Sequence, residues 1–471
     1  MTRDDTTPRD ATVDALVARA RTAQRAFARA DQAAVDAAVL AAGWAIMEPA
    51  RNRMLAERAV ADTGIGDVGD KIRKNHRKTL GLLRDLAGAK SVGVIAEDAA
   101  SGITEIARPV GVVAAITPST NPAATPANNV ICALKGANAI ILAPSPKGAG
   151  IGALLVDYIH AELAKVGAPA DLVQILPPPV TREATQALMA AADLVVATGS
   201  AANVRAAYRS GTPALGVGAG NVAVIVDPSA DAGKAASLIA ASKTFDHATS
   251  CSSENSVIAI GAADAPLRAA LEAEGGVFVD AEEKAALARA MWQDGRLATA
   301  IIARPATAIA AVAGLVRPAF ETARFLVVDE DGVGPAHPFS GEKLSPVLAY
   351  YRVPDFDAAK ALVARIYGYQ GAGHSVGIHT MSDEQPVALG RELPVARVIV
   401  NQAHCFATGG SFDNGLPFSL SMGCGTWGRN SFSDNLNYRH YLNITRVARV
   451  IPERVPRENE IFGAWHARYG R

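Results

Sequence analysis

The chain has 471 residues, of which 49% are hydrophobic and only 5% aromatic, and its 46 basic side chains balance 46 acidic ones. That zero balance excludes the basic surplus of a nucleic-acid binder, and so high an apolar share excludes a disordered chain. No apolar run reaches the roughly 18 residues of a membrane span, so neither nucleic acid nor membrane is expected as a partner.

The opening, MTRDDTTPRD, is polar and acidic, unlike a signal or transit peptide, and a cytoplasmic location is expected. Residues 15–30, 33–46 and 71–86 carry apolar residues at helical spacing. Residues 91–96 and 103–107 flank the turn-rich EDAASG and read as a β-hairpin. From residue 110 the chain alternates. Strands are expected at 110–116, 139–143, 172–176, 194–197 and 222–226, with helices at 125–135, 148–166, 181–191, 201–209 and 231–243. This rhythm marks a parallel sheet with helices on both faces. A second α/β series begins near 245. Its strands are expected at 257–260, 300–302, 325–328, 375–379 and 396–400, and its helices at 265–274 and 358–366. Residues 405–435 are rich in Gly, Ser, Asn and Phe with little periodicity, the mark of a long functional loop. Residues 441–450 return to strand alternation.

Four stretches carry residues suited to chemistry. Thr198-Gly199-Ser200 joins a strand to a helix, leaving free N–H groups for a phosphate, or else a plain Ser N-cap. Gly216-Val217-Gly218-Ala219-Gly220-Asn221 has GxGxG spacing and precedes a strand, so it is no dinucleotide fingerprint; its glycines suit close backbone approach or a turn. Cys251 sits in the polar run DHATSCSSEN, where a thiol can be exposed as a nucleophile, or else is one of the many buried and inert free cysteines. Thr117-Pro118-Ser119-Thr120-Asn121-Pro122 follows a strand, and its Asn amide suits an oxyanion or a helix cap. The other cysteines are Cys132, within an apolar helix, Cys424, in a Gly-rich run, and Cys405, which with the adjacent His404 could form a nucleophile and base, although neighbours seldom point the same way. None of the four has metal-ligand or disulfide spacing, so a reduced compartment and no metal are expected.

Taken in order, ARPVGVVAAITPSTNP, NAIILAPSPKG, ATGSAANVRAAYRSGTPALGVGAGN, KTFDHATSCSSEN, EKLSPVLAYY and TGGSFDNGLPFSLSMGCGTWGRN resemble the aldehyde dehydrogenase superfamily in its CoA-acylating branch. The SCSSEN segment and the tail from Asn401 look most like the members acting on sulfoacetaldehyde. The resemblance implies an α/β fold in three parts. A Rossmann-type nicotinamide cofactor domain would take 1–90 and 110–244, and an α/β catalytic domain 245–435. A β-strand oligomerisation extension would take 91–109 and 436–471, and a homo-oligomer, dimer or tetramer, would follow.

By the same resemblance Cys251 is the nucleophile and Asn121 an oxyanion donor, although a gap-free register places Thr120 there. Glu342 falls where the family contacts the nicotinamide ribose. Thr117, Pro118, Ser119, Gly199, Ser200 and Gly218 fall along the cofactor path. Hydrolytic relatives carry a Glu in the glycine loop to activate water, and Gly216 stands in its place. Water attack on a thioester is then slow, while a thiol still attacks, so coenzyme A is the expected acyl acceptor. Hydrolytic relatives also hold the adenosine ribose with a Lys-x-x-Glu pair, where this chain has Ala143 and Pro146. With Ser145 and Lys147 adjacent, this leans to NADP over NAD. His247 is a possible assistant to the thiol. For an anionic aldehyde, Arg205, Arg429, Asn430, Ser250 and Ser252 are candidate contacts. Three readings follow: a sulfoacetaldehyde enzyme, an acylating enzyme for acetaldehyde, propanal or another short aldehyde, or a non-redox or inactive homologue. With no net charge, any attraction for an anionic substrate must come from local cations.

Overall fold

The computed structural model describes residues 10–218 and 220–471. The first nine residues, which hold most of the polar opening and the start of the expected cofactor segment, and Ala219 of the glycine run lie outside the described residues.

Four helices come first, α1 (Ala11–Phe27), α2 (Gln32–Met47), α3 (Pro49–Thr63) and α4 (Val68–Leu86). Asp10, Asp31, Glu48 and Asp67 cap their first turns by accepting backbone N–H groups. Helix α3 is absent from the sequence reading because its buried residues, Asn52, Leu55, Ala56, Ala59 and Thr63, include few large apolar side chains. No single helix is long and apolar enough to cross a membrane among the described residues.

The hairpin β1 (Gly93–Asp98) and β2 (Ile103–Pro109) follows. Then come β3 (Val112–Thr117), α5 (Ala124–Lys135), β4 (Ala139–Pro144), α6 (Ala149–Lys165), β5 (Val173–Ile175), α7 (Arg182–Ala191), β6 (Leu194–Thr198), α8 (Ala201–Arg209) and β7 (Ala214–Val217). Their strands form a five-stranded parallel sheet in the order β5-β4-β3-β6-β7. The order reverses between β3 and β6, and in such sheets the crevice beyond the carboxyl ends at this switch point binds ligands. Thr117 ends β3 and Thr198 ends β6.

The second sheet has seven parallel strands, in the order β10-β13-β14-β9-β8-β15-β16. Its elements are β8 (Val222–Val226), α9 (Ala232–Thr244), β9 (Glu254–Ile260), α10 (Asp264–Ala273), β10 (Gly276–Val279), α11 (Ala281–Met291), the short ribbon β11 (Trp292–Gln293) and β12 (Arg296–Leu297), α12 (Ala306–Val312), β13 (Phe325–Asp329), β14 (Val347–Val353), α13 (Phe356–Tyr369), β15 (Val376–His379), α14 (Glu384–Glu392) and β16 (Val398–Val400). Two expectations change. Strand β8, read with the first half, pairs with β9 and β15, so the chain crosses between sheets at the glycine run 216–220 and not at residue 244. Residues 300–302 form a turn in which Ile301 plugs the second core, because buried apolar residues serve a turn as well as a strand.

The chain ends with α15 (His404–Ala407), β17 (Leu442–Ala448) and α16 (Glu458–Tyr469). Strand β17 returns to pair antiparallel with β2, completing a three-stranded sheet of order β1-β2-β17.

Candidate active site

The two sheets meet around a cavity of about 430 Å³ lined from both sides. The first sheet contributes Thr117, Pro118, Ser119, Thr120 and Asn121 after β3, Ser145 after β4, and Gly199 and Ser200 after β6. The second contributes Ser250, Cys251 and Ser252 before β9, and Glu342 before β14. Val217 and Gly218 line it from the crossing, and Lys78 lines it from α4. Residues far apart in sequence thus converge where the strand order reverses.

Cys251 is half-buried, and its Sγ lies 3.5 Å from Nε2 of His374. Burial and the nearby Glu342 and Cys424 push the thiol up to about 12. Burial and Arg397 pull the His374 imidazole down to about 3, so the resting pair is neutral thiol and neutral imidazole. His374 Nδ1 meets Ser375 Oγ at 2.7 Å, and Ser375 Oγ meets His404 Nε2 at 2.8 Å. With Nε2 accepting the thiol proton, Nδ1–H donates to Ser375 and the Ser375 hydroxyl donates to His404. That assignment follows from the hydrogen-bond chain.

The cysteine loop is held in an uncommon conformation. Asp246, His247 and Ala248 have φ of 51°, 49° and 58°, three successive left-handed residues without a glycine. The Asp246 carboxylate over-determines this turn. It accepts from Lys74 Nζ at 2.5 Å, Lys71 Nζ at 3.2 Å, Thr249 Oγ1 at 2.7 Å and the Asp67 N–H at 2.9 Å. Burial opposes its charge, but Lys74 and Lys71 outweigh burial and hold the carboxyl below its ordinary range. Lys74 Nζ also donates to Asn121 Oδ1 at 2.8 Å, and Lys71 Nζ to the Thr120 carbonyl at 3.2 Å.

The glycine run packs as close backbone approach. A Cβ on Gly220 would stand 2.0 Å from the Cys251 carbonyl oxygen. A Cβ on Gly216 would meet Val204 Cγ1 at 2.6 Å and Tyr208 Cε2 at 2.7 Å, so no side chain fits there. Glu342 is pushed up to about 8 by burial, against the pull of Lys243 and Lys343. It is the only carboxylate among the described residues that line the cavity.

Several expected residues lie elsewhere. His247 is not among the residues that line the cavity, and the imidazole beside Cys251 belongs to His374. Lys147 is exposed on the turn Pro146–Gly148 and is not among the residues that line the cavity. Gly216 lies behind the cavity wall, in β7 against α8. Arg205 projects from α8 into a separate cavity of about 480 Å³, which Arg182 and Arg209 also line. Arg429 is an exposed residue with φ of 56°. Asn430 is buried, and its Oδ1 accepts from the N–H groups of Gly218 and Cys424, so it braces the glycine run. Cys405 lines the cavity, but His404 turns its ring to Ser375, so the adjacent pair does not act together. Burial pushes Cys405 up to about 12. Cys132 and Cys424 are buried.

Sequence reasoning missed His374, Ser375 and the lysines of α4. The GAGHSVGIHT stretch shows only a glycine-flanked His ahead of a strand, and its pairing with Cys251 spans 123 positions. The lysines did leave a signal, since 71, 74 and 78 share one helical face.

Two hydroxyls on the first sheet's side, Thr117 Oγ1 and Ser145 Oγ, are buried without a hydrogen-bond partner. Nearby, the Ser200 hydroxyl caps α8, accepting from the Asn203 N–H at 3.3 Å. A dinucleotide fits this side: orphan hydroxyls for its sugars and a helix N-terminus for its pyrophosphate.

The sequence matches the aldehyde dehydrogenase family over residues 6–273. It is 66% identical to a sulfoacetaldehyde dehydrogenase (acylating) of Cupriavidus necator, across 98% of this chain and 93% of that protein. It is 40% identical to a succinate-semialdehyde dehydrogenase (acetylating) of Clostridium kluyveri, across 96% of this chain and 99% of that protein. The fold superposes on the crystal structure of an acetylating aldehyde dehydrogenase from Geobacillus thermoglucosidasius with a TM-score of 0.90. The sequence identity is 36%, over 94% of this chain and 98% of that one.

Proposed function

The chain belongs to the aldehyde dehydrogenase family, and from that premise we propose that it oxidises sulfoacetaldehyde to sulfoacetyl-CoA with a nicotinamide dinucleotide. One observation carries the chemistry: Cys251 Sγ stands 3.5 Å from an uncharged imidazole, in a cavity lined from both sheets. The anionic aldehyde is favoured over a neutral one by the 66% identical relative, which is named for sulfoacetaldehyde.

His374 takes the thiol proton as Cys251 Sγ forms its bond to the aldehyde carbon. Neither group has to be charged beforehand, because the proton moves along the hydrogen bond as the bond forms. The resulting oxyanion is held by backbone N–H groups at Cys251 and by the Asn121 amide. Lys74 occupies Asn121 Oδ1, which leaves Nδ2 as the donor. The bound dinucleotide supplies the hydride acceptor. Thr117 and Ser145 would hold its sugars, the N-terminus of α8 its pyrophosphate, and Glu342 its nicotinamide side. Arg182, Arg205 and Arg209, which line the cavity where α8 meets α7, would suit a 2′-phosphate, which keeps NADP the favoured form.

Oxidation leaves an acyl thioester on Cys251. His374 first releases the Cys251 proton to solvent; the CoA thiol then gives its proton to His374 and attacks the thioester carbon, and the Cys251 sulfur departs and recovers that proton from His374. Exchange of one thioester for another is nearly isoenergetic, so the reverse reduction runs as well. Self-association would use the three-stranded sheet, whose outer strands β1 and β17 have unpaired edges, together with the exposed Ile461, Phe462 and Trp465 of α16.

The test follows reduced-cofactor absorbance with sulfoacetaldehyde, succinate semialdehyde, acetaldehyde and propanal, each with and without CoA. Turnover that requires CoA and has its highest kcat/KM for sulfoacetaldehyde is expected. CoA-independent turnover, or preference for a neutral aldehyde, would refute the reading.

A further inference from the structure

The buried face of α4 carries cations where an amphipathic helix carries apolar residues. Lys71, Lys74 and Lys78 recur at i, i+3 and i+7 and are 4%, 6% and 8% exposed. An ammonium is costly to bury unless an anion and hydrogen bonds compensate it. Two of the three are compensated, since Lys71 and Lys74 share the carboxylate of Asp246. Lys78 has no carboxylate within salt-bridge distance among the described residues. Its Nζ donates to the carbonyls of Gly409 at 2.7 Å and Gly410 at 3.3 Å, and its third proton has no acceptor among the described residues. Burial and the neighbouring Arg77 pull this ammonium down to about 7.

Lys78 lines the cavity that holds Cys251. With Lys74 and Arg77 it also lines a smaller adjoining cavity of about 30 Å³, which shares Asn121 and Ser250 with the first. Beyond that lies a surface vestibule of about 540 Å³ lined by Arg53, Arg73 and Arg77. The cations therefore run from the surface, where Arg53 of α3 joins them, along α4 to the cavity that holds the thiol, a route separate from Ser145 and Ser200 on the first sheet.

We propose that Lys78 is the anion anchor of the substrate, donating to the sulfonate of an aldehyde bound at Cys251. This rests on the sulfoacetaldehyde reading above. One methylene separates that sulfonate from the carbonyl, so its cation must share the nucleophile's cavity. Arg205 lies in another cavity and Arg429 is on the surface. Lys71 and Lys74 are already engaged by Asp246, whereas Lys78 faces the Phe418 ring at 5.4 Å and has no carboxylate partner among the described residues, which leaves it the free donor. Ser250, which lines both cavities, would supply a neutral donor beside it.

The test compares kcat/KM for sulfoacetaldehyde and propanal in the unaltered enzyme, Lys78→Met and Lys78→Arg. Ethanesulfonate serves as a non-reactive competitor of propanal. Lys78→Met should lower the sulfoacetaldehyde-to-propanal ratio roughly 100-fold, and Lys78→Arg, which keeps the charge, far less. Ethanesulfonate should compete with propanal in the unaltered enzyme and cease to compete in Lys78→Met. An unchanged ratio, or an unaltered enzyme that ethanesulfonate does not inhibit competitively, overturns the anchor. If Lys78→Met fails to fold, the competition in the unaltered enzyme and the Lys78→Arg ratio decide. If ethanesulfonate competes through Lys78 while sulfoacetaldehyde is not oxidised, the anchor stands and the substrate reading falls.

Discussion

Lys74 Nζ donates to Asn121 Oδ1 at 2.8 Å, and this bond decides which end of the Asn121 amide is left for the substrate. Lys74→Met frees the amide to rotate, so kcat should fall roughly 10- to 100-fold, short of the roughly 100- to 1,000-fold expected for Asn121→Ala. Because Lys74 also neutralises Asp246 beneath the cysteine loop, the double variant should fall below Asn121→Ala alone, but by less than the product of the two single losses. Fully additive losses in that double-mutant cycle would show that Lys74 does not act through Asn121.

His374 is expected to serve both half-reactions. His374→Ala should slow acyl-enzyme formation and CoA-dependent deacylation alike, each by roughly 100-fold or more. Rapid-quench measurement of the acyl-enzyme separates the two steps. A variant that stalls only at deacylation would restrict the imidazole to the CoA thiol.

Gly216→Glu should not create a hydrolytic enzyme. The new side chain would drive into Val204 and Tyr208, where even a Cβ lies 2.6 Å and 2.7 Å from its neighbours. A loss of about 1–3 kcal/mol in stability is expected from overpacking, without CoA-independent turnover. Denaturant melts and a CoA-free assay check both parts, and CoA-independent turnover would show that the loop yields.

His379 ends β15, and burial, with Lys234 nearby, pulls its imidazole down to about 4. Between pH 6.5 and 4 the unfolded chain therefore binds a proton there that the folded chain does not. Stability must fall as pH drops through this window. His379→Gln removes the effect, so the slope of unfolding free energy against pH should flatten by about 1.4 kcal/mol per pH unit. Denaturant titrations at pH 6.5 and 4.5 measure it, and parallel slopes would mean that His379 takes up its proton in the folded state.

Much of this architecture was legible in the sequence, because alternation along a strand and 3.6-residue spacing along a helix are local signals. Cys251, Asn121, Ser145 and Glu342 were reached through ordered motifs, and the structure brings all four to one cavity. What stayed hidden was non-local. Nothing in the chain announces that β8 leaves the first sheet, because a buried parallel strand reads the same in either sheet. His374 became visible only when the end of the loop before β15 met the loop before β9. Arg205 and Arg429 were plausible cations by type, but side-chain direction, set by helix phase and by a left-handed turn, took them elsewhere. The lysines of α4 were overlooked for the opposite reason, since charge on a helix is ordinarily read as its solvated face.

A thiol that stays protonated until an aldehyde reaches it is also a poor target for oxidants. Peroxide and alkylating agents attack the thiolate, and Cys251 holds almost none at neutral pH when its neighbour His374 is uncharged. The idle enzyme should therefore outlast one that keeps a preformed thiolate–imidazolium pair. Its nucleophile becomes vulnerable only during turnover, so inactivation by peroxide should follow the number of catalytic cycles and not the time of exposure.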